Sequence, residues 1–225
     1  MNSNIKSYHQ LSIKNSVIWS AKYVCVILFT EIINIAIVRK YNTTLEPYIN
    51  FLLYLLLGIS FFIVLRHQTS FKIDFFYHTT AKNILLSLVC AILLYFFLDK
   101  GIDPILENYF PQSESDYQDA IRSLVKTPYL SFLHVCIAAP IIEEFLMRGF
   151  ILGGLQKKYG VLTALCVSSI LFAILHFNMV QTLSALFCGV ILGLLYLKTG
   201  SLFCCILTHS TYNMISYLLD ILDMY

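Results

Sequence analysis

Long apolar runs broken by short polar segments make up most of the chain. A helix needs about 20 mostly apolar residues to cross a bilayer. By that measure the pattern predicts seven spans, at roughly residues 17–38, 48–65, 83–98, 132–156, 160–177, 180–197 and 200–219. Several contain Pro or Gly, which neighbouring helices accommodate inside a membrane. The first span is the least apolar, because it holds Lys22, Glu31 and Asn34. A mainly polar segment of sixteen residues precedes it and it lacks a small-residue cleavage pattern, so it is expected to stay as a span. Segment 99–128 is the one long polar stretch. Within it, "SDYQDAIRSLV" has the apolar spacing of an amphipathic helix at the membrane surface, and a solvated loop fits equally well. The expected fold is therefore all-α: a membrane bundle of about seven transmembrane helices.

Composition agrees. With 58% hydrophobic and only 12% charged residues, the chain falls far from a water-soluble domain, in which about 25% of residues are charged. A net charge of +2, without a dense Lys/Arg cluster, gives no nucleic-acid surface. The seven cysteines lie almost entirely in apolar runs without CxxC spacing and read as free, buried thiols. Cytoplasmic loops favour Lys and Arg. Lys6, Lys14, Arg66, Lys72, Lys82, Lys157, Lys158 and Lys198 all fall on one side if the N-terminus is inside. The other side receives Arg39 and Lys40, the acidic 99–128 segment, and Asp220 and Asp223. The expected topology is N-terminus cytoplasmic and C-terminus outside, in a multi-pass protein of the cell membrane.

Polar residues in the C-terminal half break the apolar pattern: Glu143, Glu144 and Arg148 in "PIIEEFLMRGF", His176 in "FAILHF", and His209 and Asn213 in "LTHSTYN". Ionisable residues within a membrane are costly and face a partner, a bundle interior or a wet cavity. Glu144 and Arg148 stand four apart, about 40° around a helix, in the favourable acid-first order, and so can form an internal pair. Glu143 is about 140° from Arg148 on the same wheel and is free to point elsewhere. His209 and Asn213 share one helix face, as do Phe172 and His176. At ~1.5 Å per residue, Glu143, His176, His209 and Asn213 lie about 14–24 Å from the inner loops, so spans four, five and seven can bring them to one level. His134, Glu31 and Lys22 have no matched partners and read as structural or interfacial residues.

In order, these motifs, EExxxR, FxxxH and HxxxN, with the "KTGSL" lead-in to the last span, resemble the CPBP family of intramembrane endopeptidases, also called the CAAX-protease and bacteriocin-processing or Abi family. The likeness covers about residues 130–217. It divides the chain into N-terminal helices with a polar loop, 1–128, and a CPBP-like catalytic core, 129–225. It implies hydrolysis of a peptide bond in a membrane-associated or lipidated substrate, with Glu143 and His176 activating water and His209 and Asn213 stabilising the oxyanion. Glu144 and Arg148 would support the helix. A carboxylate in an apolar pocket suits proton transfer, and fixed amide and imidazole donors act most strongly where water is scarce. No cofactor is needed for that scheme.

The family's metalloprotease label opens a second reading, zinc held by Glu143, His176 and His209, although the chain has no HExxH pair. The metal-free scheme uses all four polar residues. Outside the peptidase class, the constellation fits a non-catalytic immunity or scaffold protein, or a transporter using Glu143 as proton carrier. A transporter is expected to show matching halves, whereas the polar residues concentrate in one half. The bilayer and a membrane-associated peptide or protein are the expected partners. The residues do not specify the substrate or the oligomeric state.

Overall fold

The structure, a computed structural model, describes residues 9–38, 45–69, 71–72 and 75–222. Its regular elements are all helical among the described residues. The charges at Lys6, Arg39, Lys40 and Asp223 lie outside them.

Helix α1, Ile13–Ile33, starts where the Ser12 hydroxyl accepts the backbone N–H of Asn15 (3.1 Å), and it runs on into a π-helical turn, Asn34–Val38. Helix α2, Glu46–Gln68, has an acidic residue and a proline in its first turn and Arg66 and His67 in its last, the order the helix dipole favours. Helix α3, Ala81–Phe97, is capped by Thr80 and continues through a π turn, Leu98–Ile102, into the short α4, Asp103–Tyr109. The polar stretch forms helix α5, Pro111–Leu124, resolving the helix-or-loop alternative in favour of the helix.

Next comes an apolar helical stretch of 47 residues, Pro128–Ile174. Straight, it would be about 70 Å long, more than twice the ~30 Å of a bilayer's hydrocarbon core. It breaks at Gly160, whose φ of 83° and ψ of 173° are not helical. That backbone region is open essentially to glycine alone. A Cβ there would meet nothing within 4 Å, so conformation rather than space requires the glycine. The break divides the stretch into α6, residues 128–159, and α7, residues 161–174. Helices α8, Met179–Thr199, and α9, Leu202–Leu222, complete the fold. Six helices are long and apolar enough to cross a membrane. With the longest divided at Gly160, the helix count comes close to the seven expected spans.

Helix α6 is the core. Leu146, Met147, Phe150, Ile151 and Leu152 are wholly buried on it. Leu52, Leu56, Ile59 and Ile63 of α2 and Leu93 of α3 instead face outward, where lipid replaces water. Helices α2 and α6 run parallel in contact: Tyr54 meets His134, Gly58 meets Ile142, and Phe62 meets Phe145. The segment before α1 docks on the far end of α6, with Leu11 N–H donating to Gly154 O (3.0 Å) and His9 Nε2–H to Phe150 O (2.7 Å). All seven cysteines are free, but Cys25 and Cys166 are exposed, against the expectation that all are buried. Each sits on the outward side of its helix, where an apolar span needs no protein neighbour.

Candidate active site

Helix α6 reaches the site through two π-helical turns, Leu133–Ala138 and Phe145–Leu152, on either side of Ala139–Glu144. Such turns shift the rotational register of a helix and are frequent at functional sites. Between them, Glu143 and Glu144 take different surroundings. Glu144 is fully buried, and its Oε1 accepts from Arg148 Nη1 (2.8 Å) and from His209 Nδ1 (3.0 Å). Arg148 also donates through Nη2 to Gly189 O (3.2 Å) and lies 4.6 Å from the centre of the Phe172 ring. Gly189 also lets α8 pack closely on α7: a Cβ there would stand 3.2 Å from both Phe172 and Ser169. The expected Glu144–Arg148 pair is present, and it extends to His209 sixty-five residues away.

Glu143 is partly open, and it lines a cavity of about 650 Å³. His176, His209 and Asn213 line the same cavity, whereas Glu144 and Arg148 lie behind its wall. The four residues expected from helix depth to share a level thus line one cavity. His209 turns Nε2 towards Glu143 Oε2 at 3.9 Å. Its Nδ1 faces the Glu144 carboxylate, an acceptor, so Nδ1 carries a proton and Nε2 is the nitrogen presented to the cavity. His176 lies just past the end of α7, where Nδ1 donates to Phe172 O (3.2 Å). In the neutral ring this leaves Nε2 as an acceptor. Asn213 gives one amide hydrogen to Val135 O (2.9 Å), a carbonyl in the first π turn, and keeps the other.

Phe172 explains the first position of FxxxH. Its ring meets His176 edge-on at 5.2 Å and His209 at 5.7 Å, with the Arg148 guanidinium over its face. One aromatic ring thus packs against two histidines and the buried cation.

The cavity also takes residues that the motifs did not single out. Asp99 and Asp103 enter from the α3–α4 junction, and Tyr212 and Ser216 from α9. Asp99 accepts from Tyr212 Oη (2.7 Å) and from Ser216, while Asp103 accepts from Ser184. Tyr212 and Ser216 continue the His209–Asn213 face at helical spacing, a signal present in the sequence. Helix α5 lays Glu114, Tyr117, Gln118, Ile121 and Leu124 along the cavity. It is tied to α9 by Tyr117 Oη–H to Asp220 (2.7 Å), and to the turn before α8 by Asn178 Nδ2–H to Ser113 O (2.6 Å).

Lys22 and Glu31 lie away from this cavity on α1, where the Lys22 ammonium sits 4.1 Å from the Trp19 ring centre. Among the described residues no three His, Cys, Asp or Glu side chains are grouped as a metal ion would require. Glu143, His176 and His209 are not drawn together as a zinc ligand set in this arrangement.

Residues 125–215 match the family model for type II CAAX prenyl endopeptidases, Rce1-like. Over 132 residues the chain is 29% identical to "Putative membrane peptidase YdiL" of Bacillus subtilis (strain 168), a match covering 57% of this chain and 54% of that protein. The chain thus spans about half the length of the curated relative it matches. No solved structure matches. The matched segment holds every residue of EExxxR, FxxxH and HxxxN, and in residues 125–215 the chain is similar to the Rce1-like family of CAAX prenyl endopeptidases.

Proposed function

We propose that this chain is an intramembrane endopeptidase that hydrolyses a peptide bond in a membrane-associated or lipidated peptide by carboxylate-activated water. The observation that carries the reading is the single cavity lined by Glu143, His176, His209 and Asn213, with Glu144 and Arg148 held behind it. Glu143 takes a proton from the attacking water, assisted by the acceptor Nε2 of His176. The tetrahedral oxyanion is met by the free amide hydrogen of Asn213 and, in its imidazolium form, by His209 Nε2–H. The proton held by Glu143 then passes to the leaving amine, returning the carboxylate to its starting state.

Purified full-length protein in liposomes, offered a fluorogenic peptide with a farnesylated CaaX end and an unlipidated apolar peptide, tests the reading. Cleavage of either that is abolished by Glu143→Gln supports it. Cleavage of neither, or cleavage that survives Glu143→Gln, rejects it. The relative rates on the two peptides report whether a prenyl group matters to this chain.

A further inference from the structure

His134 stands apart from the other polar residues of the cavity wall. It lines the same cavity as Glu143, on the same helix. Of the other histidines there, His176 is bonded to Phe172 O and His209 to Glu144. The His134 ring has no hydrogen bond to any described residue, and its nitrogens are not among the sealed, unpartnered polar atoms of the interior. They are thus not sealed off, on a residue that lines the cavity. The ring itself is held firmly: Tyr54 packs on it with centroids 4.4 Å apart, and Phe51 lies at 5.7 Å. Tyr54 is positioned in turn by Tyr23 of α1, their hydroxyls 3.5 Å apart.

The local helix makes this placement possible. His134 and Val135 are consecutive, yet both line the cavity, within the π-helical turn Leu133–Ala138. Val135 O is anchored by Asn213, which locks the turn to the candidate oxyanion residue. An imidazole fixed by aromatic packing, with both nitrogens lacking a protein partner, suits recognition of a peptide group, which offers one donor and one acceptor. An oriented polar group confers position and specificity on a ligand.

Resting on the endopeptidase reading, we infer that His134 is a substrate-binding residue of this site, which hydrogen-bonds the backbone of an extended substrate at a distance from the cleaved bond. His134 and Glu143 are nine residues apart on the helix, about 13 Å of rise. An extended chain advances about 3.3 Å per residue. The contacted peptide group is therefore about four residues from the scissile one, and the cavity holds an extended segment rather than a single side chain.

The test uses the full-length protein and the farnesylated fluorogenic peptide. His134→Phe keeps a ring for Tyr54 to pack against and removes the polar nitrogens. It is expected to raise KM about tenfold with kcat changed less than about twofold, the expectation for loss of one buried ligand hydrogen bond worth about 1.4 kcal/mol. His134→Gln, which restores a donor and an acceptor, is expected to bring KM back to within about threefold of the parent. Binding without turnover separates this inference from the peptidase reading: the peptide's affinity for Glu143→Gln protein should fall about tenfold when His134→Phe is added. Equal affinity with and without His134, absence of peptide binding, or loss of kcat at unchanged KM overturns the assignment. If Glu143→Gln protein binds the peptide through His134 while the parent cleaves nothing, the peptidase reading fails and the binding assignment stands.

Discussion

Glu143 and Glu144 are chemically identical neighbours with opposite surroundings. Glu144 has its charge balanced by Arg148, in a place sealed from solvent. Removing one partner of a buried pair leaves an uncompensated charge, at a cost of about 3–5 kcal/mol in soluble proteins. Glu144→Gln should therefore lower the yield of folded protein and also release His209, giving a smaller, heat-sensitive population by size-exclusion chromatography. Glu143→Gln should give parental yield and no peptide cleavage. Equal yields for the two variants would refute this division.

The choice between metal-free and zinc chemistry also belongs to the residue scale. Zinc-bound His ligands usually have their second nitrogen oriented by another group. His176 and His209 are both oriented in that way, by Phe172 O and Glu144, but the three candidate ligands do not converge. The proposed mechanism therefore uses no metal. Protein treated with chelator and confirmed zinc-free by elemental analysis is expected to cleave its peptide at the untreated rate. Activity that vanishes and returns with one zinc per chain would replace the carboxylate mechanism.

At the scale of elements, α6 is held at both ends by contacts outside its own helix. Its cavity end is fixed by Asn213 on Val135 O, and its far end by the segment before α1. In that segment His9 stacks on Phe150 with centroids 5.0 Å apart and meets Phe71 edge-on. His9 lies before the first span, and burial holds its pKa below the ordinary 6.5, more than its bond to Phe150 O raises it. A group whose folded-state pKa is depressed binds its proton more readily when unfolded. Docking is thus strongest above about pH 6.5 and weakens as pH falls from there through the folded pKa. Thermal melts in detergent between pH 8 and pH 5 should show the parent losing stability more steeply than His9→Phe. Parallel pH dependence in the two proteins would mean that His9 does not couple docking to protonation.

At the scale of the whole molecule, the helices form a multi-pass membrane protein with an internal polar chamber. If the Gly160 break divides the longest stretch into two crossings, the proposed count of seven would put the two ends of the chain on opposite sides of the membrane. With the Lys/Arg-rich loops inside, as proposed, a reporter fused after Tyr225 should be accessible from outside intact cells. Labelling only after permeabilisation would contradict the proposed topology.

Helix α5 and the α3–α4 junction complete the chamber from outside the matched family segment. Asp99, Asp103 and Tyr117 lie in this added wall.

The sequence by itself determined the spans, because lipid penalises every unpaired backbone and side-chain polar group, making apolar length a local signal. It also determined the Glu144–Arg148 pair and the shared face of His209 and Asn213, since four-residue spacing places side chains together on any helix. Glu143, His176, His209 and Asn213 were legible as a set because charge and imidazole are rare inside a membrane.

Only the tertiary structure decided that Glu144 also holds His209, that α5 lines the chamber, and that His134 belongs to the cavity wall. Helical periodicity assigns relative faces within one helix, but not the rotation of one helix against another. Here that rotation is set by side-chain packing, by Gly189 at the α7–α8 approach, and by π turns that shift the faces of α6. His134 read as an unmatched structural residue because its partners, Tyr54 and Phe51, are aromatic side chains about eighty residues away, and aromatic residues are too common in this chain to mark a site.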